Sequence, residues 1–439
     1  MTFVDAYTGI DWDALKESTI LVVPIQSDHR LHRLENTISF IYIQNLNNGE
    51  EFLVGCTHND LYQNGSDWIE KVEWPDKTFC WNSNRLRQRG VKCYDADLCY
   101  WLQFNVPIDI AESSEITVYH QWYKTATDIN NIVPVVVFIP LCQIIVENFK
   151  KCLSDIEYDK TLQFYNDIVL DNYFKLENTG LPIDSSVLEH FHKIKKDVLY
   201  TEYFPYTSTG RPSNRFGGIN FAALNKSNGE RSMIKPEDDQ LLIDFDYDSY
   251  HVKLVARLVG YDLPPGNLHH YFGRQYFNTP MISPEQYEES KGLTFRMLYG
   301  TIPHEYKHIN FFKNVHEYRK HLWSGFKRNG YVKVPMSGRK IYLKNFDGMT
   351  ANKIFNYILQ AYETEVNSLM LHNLLEYLYS KYSKLILYTY DSFLFVYDKR
   401  DGKSFVNDVT NILSQFKMAV SLKMGCDYHN MVTPKNYKK

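Results

Sequence analysis

Three aspartates alternate along one apolar stretch and its continuation, LLIDFDYD: Asp244, Asp246 and Asp248. A fourth, Asp391, lies inside a second apolar stretch, LILYTYDSFLFVY, at 385–397. One carboxylate at a strand end and another at a hairpin tip can hold two divalent cations roughly 3.5–4 Å apart, an arrangement that activates a hydroxyl and stabilises a leaving pyrophosphate. Hard oxygen ligands of this kind suit Mg2+, with Mn2+ as a substitute. Taken singly, each Asp reads as a turn or capping residue. Positions 244, 246 and 248 share one face of an extended chain, so the pattern leaves the register open.

Between the two stretches, YEESKGLTFRMLYG carries Lys291, Phe295 and Tyr299 at i, i+4 and i+8, on one helix face. A cation one turn from an aromatic ring offers charge for a phosphate and a surface for a base. The spacing alone equally describes, and favours, an ordinary amphipathic helix. Asn352, Asn356 and Gln360 repeat the spacing with amides. Amides can donate to the minor-groove acceptors that all base pairs share, or form a polar stripe toward solvent. The loop TSTGRPSNRFGGIN, 207–220, sets two Arg among Gly, Ser and Asn. It can approach a phosphate backbone or be a generic flexible loop.

These groups need elements to position them. Strands are predicted at 19–24, 37–44 and 51–54, the last two flanking the turn signal NLNNGE. Residues 144–176 carry helical spacing and end at a stop-and-turn signal, Asn-Thr-Gly-Leu-Pro. A helix is expected over 185–200, a strand at 241–246 continuing into a helix to 259, helices over 287–299 and 349–382, and a hairpin of 385–390 with 393–397 turning at Asp391-Ser392. Strands mixed with long helices in this order imply an α+β fold.

The chain has 439 residues, room for two or three domains, and is rich in Tyr (34) and Phe (26). A net charge of −4 excludes a chain that grips nucleic acid by bulk charge, leaving local clusters such as the basic segment 307–344, whose bland reading is a solvated face. Seven Cys, an odd number with no Cys-x-x-Cys pair, read as free thiols in a reducing compartment. The N-terminus lacks signal-peptide character, and the run IVPVVVFIPLCQIIV, 132–146, is too short and interrupted for a secure membrane span and reads as buried core. The expected location is cytoplasmic (host cytoplasm if viral), with no membrane partner.

The order of these signals resembles the family A, bacterial polymerase I-like, DNA polymerases. STGRPSNRFGGIN resembles the Thr-Gly-Arg primer-contact motif, LLIDFDYDSYHVKLVARLVG motif A, and NLHHYF followed by ESKGLTFRMLYG the approach to motif B and motif B itself. GYVKVPMSGRKIYL resembles the Gly-Arg hairpin after the fingers, NKIFNYILQ the Asn-x-x-x-Gln helix, TYDSFLFVY motif C, and KMGCDYHNM the chain end. The match covers roughly 149 to the C-terminus. It implies a right-hand palm (about 185–260 and 345–439) and fingers (about 261–344) within 141–439. It further implies that Asp246, Asp391 and the Tyr247 carbonyl hold Mg2+. Lys291, Phe295, Tyr299, His251 and His269 would bind the dNTP. Thr209, Arg211, Asn220, Asn356, Gln360 and Tyr390 would bind primer-template DNA.

Four departures stand out. His251 occupies the place of a Glu that closes the pocket against a ribose 2′-hydroxyl. Tyr287 replaces an Arg four residues before the Lys, leaving Arg296, His269 or Arg274 to compensate. Motif C reads Tyr390-Asp391-Ser392 rather than His-Asp-Glu, and its Asp-Ser pair resembles that of single-subunit RNA polymerases. Only 25 residues separate Asp184 from Thr209, where the family inserts a thumb; 185–200 supplies at most one helix of about 24 Å. Low processivity without a protein partner is expected.

Residues 1–140 resemble in strand order the α/β, RNase H-like 3′–5′ exonuclease domain that precedes many such polymerases. Pro24 and Gln26 stand where its Asp-x-Glu belongs, and CWNSNRLRQRG lacks the further Asp, with Asp95 and Asp128 as leftovers or surface acids. The expectation is a domain that does not proofread. Reduced size and drifted motifs read as a phage, viral or mobile-element replication enzyme. Two other functions remain open: a primer-template binding protein without turnover, and a single-subunit RNA polymerase-like enzyme.

Overall fold

The computed structural model describes residues 2–4, 7–28, 30–110 and 134–434. They form two compact units, Met1–Phe174 with Phe216–Ile219, and Lys175–Arg215 with Asn220–Lys439.

The first unit is built on a six-stranded mixed sheet in the order Thr2–Val4, Glu51–Gly55, Ile38–Asn45, Thr19–Gln26, Lys77–Cys80, Tyr94–Asp95. Thr19–Gln26 pairs antiparallel with Ile38–Asn45 and parallel with Lys77–Cys80. All residues from Ile20 to Ile25 are buried, as a central strand covered on both faces requires. Ile20, Val22, Ile41, Ile43 and Val54 pack with Trp68 and Ile69. Phe40 and Phe79 meet Phe138 and Phe149 of the helix Val135–Leu153. The predicted turn forms, with Gly49 at φ 82° and the Asn45 amide donating to the Glu50 carbonyl (2.8 Å).

The apolar run expected as core is this helix. Phe138, Leu141, Cys142, Ile145, Val146 and Phe149 line its buried face, while Val136 is 76 % exposed. The helical spacing expected over 144–176 breaks after Leu153. It resumes at Lys160–Phe164, capped by Asp159, passes through a π-helical turn at Tyr165–Val169, and ends in Leu170–Glu177. All seven cysteines are free, with only Cys426 exposed. Among the described residues no helix is long and apolar enough to cross a membrane.

The second unit centres on a four-stranded antiparallel sheet, in the order Lys384–Thr389, Ser392–Tyr397, Leu241–Tyr247, Val420–Gly425. The helix Tyr250–Leu258 follows the central strand directly, with Ser249 at φ 51° making the corner. The helix Pro284–Tyr299 begins with Pro at its first position and a Ser283/Gln286 capping box, one turn before the expected start. The long helix is Ala351–Leu378, capped by Thr350. The hairpin turns at Tyr390-Asp391, with Ser392 already paired to Thr389.

A further expectation is corrected. The helix predicted over 185–200 spans only Ser185–His192, because Lys193 adopts a left-handed φ of 60° and the chain enters the strand Val198–Leu199 against Leu181–Pro182. Eight residues give about 12 Å, half the predicted length. Overall, the molecule is α+β, as expected.

Candidate active site

The register left open by DFDYD is resolved by the partner strand. Asp246 lies opposite Ser392 and Asp244 opposite Leu394. Ser392 Oγ donates to the Asp244 carboxylate, so Asp244 is engaged within the sheet. Asp246 keeps its carboxylate at the open strand end. The Tyr247 amide donates to the Asp391 carbonyl (3.1 Å), tying this end to the hairpin tip. The tip is held by Tyr390 at φ 61°, whose carbonyl accepts from Asn367 Nδ2. That amide also donates to the Tyr388 hydroxyl (3.0 Å).

The acids at this edge resist ionising together. Desolvation first, then the charges of Asp391 and Asp244, push the Asp246 carboxyl up to about 7. Desolvation raises Asp391, with Glu363 adding to the effect, and lifts Asp244 to about 6. Two carboxylates that destabilise each other's charge are a donor set that a divalent cation would relieve. Among the described residues no three His, Cys, Asp or Glu side chains cluster to hold a metal. The hard donors this edge offers are the Asp246 and Asp391 carboxylates. This is the donor chemistry of Mg2+, which binds through one or two carboxylates plus substrate phosphates.

The helix Pro284–Tyr299 presents the three residues that spacing singled out. Lys291 is exposed. Phe295 and Tyr299 stack nearly parallel, centroids 6.3 Å apart. His269 is buried within ring contact of Phe295 (5.9 Å) and Tyr287 (5.8 Å). Burial, then Lys291, lowers the His269 pKa, which favours neutral imidazole. Tyr287, where the resemblance implies an Arg, packs tilted against His270 (4.9 Å, 43°) and accepts from Asn267 Nδ2 (3.3 Å). Of the three residues weighed as substitutes for an Arg there, His269 is the buried one, and the Lys291 charge disfavours its imidazolium; Arg274 and Arg296 are exposed.

His251 Nδ1 meets the Tyr299 hydroxyl, and its Nε2 lies 3.0 Å from Glu363 Oε1. Glu363 Oε2 is 3.2 Å from Arg211 Nε, and the Arg211 guanidinium lies 3.7 Å over the Tyr390 ring. Residue-type reasoning did not single out Glu363. A signal existed: it follows Gln360 by three residues, continuing the stripe of 352, 356 and 360.

The loop before the central strand is a built turn. Gly210, at φ 81°, closes it by donating to the Thr207 carbonyl (3.0 Å). Thr209 is buried; its hydroxyl accepts from the Arg211 amide (3.3 Å) and its carbonyl from the fully buried Arg339 (3.0 Å). Arg339, also missed, carries the Gly-Arg pair of the hairpin Tyr331–Lys333/Lys340–Tyr342. Asn356 Nδ2 donates to the Tyr299 carbonyl (3.1 Å) and Asn352 Oδ1 accepts from Arg319 (3.4 Å), so these amides lock helix ends together. Gln360 is half-buried one turn further on. Asn220 precedes the turn Phe221–Ala223 without capping it. The structure thus joins Arg211, Tyr390, His251 and Tyr299 through Glu363, and sets Asn356 against the end of the Tyr299 helix. Among the described residues no hydrogen bond or ion pair links Gln360 or Asn220 to that cluster.

In the first unit the corresponding strand has no acid. Arg85 donates to the Pro24 carbonyl and packs over Trp81 (5.7 Å). Asp28 is paired with Arg30 (2.7 Å). Asp95, buried, accepts from the Ser83 and Leu98 amides (3.0 Å each), capping the helix Ala96–Phe104. Asp128 lies outside the described residues.

No family model matches the sequence, and no curated protein matches it. Among solved structures, the chain is similar to the POL domain of Pol1 from M. smegmatis, determined in complex with DNA primer-template and dNTP. The TM-score is 0.69 at 13 % identity, covering 96 % of this chain and 98 % of that one. At this identity the likeness establishes the fold.

Proposed function

We propose that this chain is a DNA-directed DNA polymerase that adds dNTPs to a primer 3′-hydroxyl by two-metal nucleotidyl transfer. The observation that carries the reading is the meeting of Asp246 and Asp391 at adjoining strand ends, joined by the Tyr247–Asp391 backbone bond. The likeness to a POL domain solved with primer-template and dNTP supports it. In this reading residues 185–260 and 345–439 are the palm and 261–344 the fingers.

Asp246, Asp391 and the Tyr247 carbonyl would hold the Mg2+ ions, whose charge lowers the cost of the attacking and leaving oxygens. The chain's own residues position. Lys291 meets the triphosphate, Phe295 and Tyr299 frame sugar and base, and neutral His269 orders the Phe295 ring. Arg211 and Tyr390 sit at the primer side, where Thr209 and Arg339 brace the loop. Asn356, Gln360 and Asn220 complete the primer-template contacts. Rate gain then comes from orientation and charge stabilisation at phosphorus.

Two further properties belong to this proposal. The N-terminal unit does not proofread, since the Arg85 guanidinium sits on the strand where acids would be needed for metals. Processivity is low, since one eight-residue helix stands where a thumb would grip duplex; a partner protein would supply the clamp.

Primer extension by wild type and Asp391→Ala, with dNTPs and separately with NTPs, tests the reading. Template-dependent dNTP addition lost in Asp391→Ala supports it. Preference for NTPs would make the chain an RNA polymerase-like enzyme, and primer-template binding without extension a non-catalytic binding protein. Products longer than roughly a few hundred nucleotides per binding event, without partners, would overturn the processivity claim.

A further inference from the structure

Glu363 is 1 % exposed in the middle of the long helix. A carboxylate so buried persists only with charged or hydrogen-bonding partners around it. Its two oxygens go to different elements: Oε1 to His251 Nε2 at 3.0 Å and Oε2 to Arg211 Nε at 3.2 Å. The first branch continues through His251 Nδ1 to the Tyr299 hydroxyl. The second continues through the guanidinium to the Tyr390 ring, one residue before Asp391.

This arrangement has a chemical direction. A carboxylate oxygen 3.0 Å from Nε2 favours the imidazole proton on that nitrogen, which leaves Nδ1 to accept the phenol proton of Tyr299. The two rings then stand 5.7 Å apart at 69°, as a fixed wall. We infer that Glu363 is a positioning residue that sets sugar discrimination: it locks the His251–Tyr299 wall against a 2′-hydroxyl, supplying from the long helix the carboxylate that position 251 does not carry. This rests on the polymerase reading for its substrate, and on geometry alone for the lock.

Glu363→Gln keeps the volume and removes the charge; Glu363→Asp keeps the charge and withdraws it by one methylene, guarding against a folding defect. Both are expected to lower the ratio of kcat/KM for dNTP over NTP by about 10- to 100-fold, chiefly through improved NTP use. His251→Glu alone sets a second carboxylate against Glu363 and is expected to lose extension, whereas His251→Glu combined with Glu363→Gln is expected to recover the wild-type ratio. An unchanged ratio in both Glu363 variants, or no recovery in the pair, would overturn the inference. A second readout needs no activity. In 15N-histidine spectra, with the His251 signals assigned by His251→Gln, wild type should show a bare Nδ1 and protonated Nε2, and Glu363→Gln a mixture of tautomers. Identical His251 signals in the two proteins would also overturn it. Absent extension by wild type, with the tautomer change present, counts against the polymerase reading and leaves the lock standing.

Discussion

The strands Thr19–Gln26 and Leu241–Tyr247 are both apolar, central and paired on both sides, yet only the second carries acids. In Leu241–Tyr247 the acid at the strand end faces a second acid across a hairpin, and their mutual charge is left for a cation to relieve. In Thr19–Gln26 the equivalent end holds Pro24 and Gln26, and the nearby cation is covalent: the Arg85 guanidinium on the Pro24 carbonyl. A protein cation satisfies a backbone oxygen, whereas a bound metal can polarise a phosphate and a water together. The core of Thr19–Gln26 needs no acid at the strand end, because the residues that fill a sheet's core and those at its strand ends are different.

The largest expected break in that contrast comes from the acids. Asp246→Asn and Asp391→Asn should each slow single-turnover primer extension at least about 10³-fold, because metal charge stabilisation is worth several kcal/mol, while primer-template binding is kept. Neither substitution should change the fate of a 3′-labelled single strand in Mg2+, which wild type is expected to leave intact. Magnesium-dependent trimming would refute the claim for the first unit. Next, Lys291→Ala should cost about 10- to 100-fold in kcat/KM for dNTP, the worth of one charge-assisted contact. A Lys291→Arg variant retaining most activity would sharpen the assignment to charge.

A smaller effect is expected from Arg85→Met. Losing the guanidinium should destabilise the first unit by about 1–3 kcal/mol in denaturant unfolding without creating nuclease activity. The smallest concerns pH. The folded-state pKa of His269 lies below its ordinary 6.5, so as pH falls through 6.5 the unfolded chain takes up the proton first. His269 therefore lowers stability progressively below that pH, levelling off once the folded value is passed. In His269→Gln the melting temperature should fall less between pH 7 and 5 than in wild type; parallel curves would remove His269 from the buried, Lys291-facing role.

Much of this fold was legible in the chain. Both central strands, the hairpin turn at Gly49, the helix ending at Tyr299 and the long helix after Thr350 follow from periodicity and capping, which act within a few residues. The misjudged helix over 185–200 shows the limit: its first two turns are signalled by Asp184, but its end depends on Lys193 turning left-handed so that Val198 can pair with Pro182. The shared face of Phe295 and Tyr299 was legible too, since positions four apart on a helix must share a face.

By itself the sequence determined where each acid, cation and ring sits along its own element, because backbone geometry repeats over turns and pleats. The tertiary structure decided which of them meet. Ser392 draws Asp244, and not Asp246, into a bond across 148 positions of chain. Glu363, one of many charged residues on paper, becomes the hub of His251 and Arg211 only when three elements close around it. Burial and partnership depend on contacts between distant segments, and no local spacing encodes them.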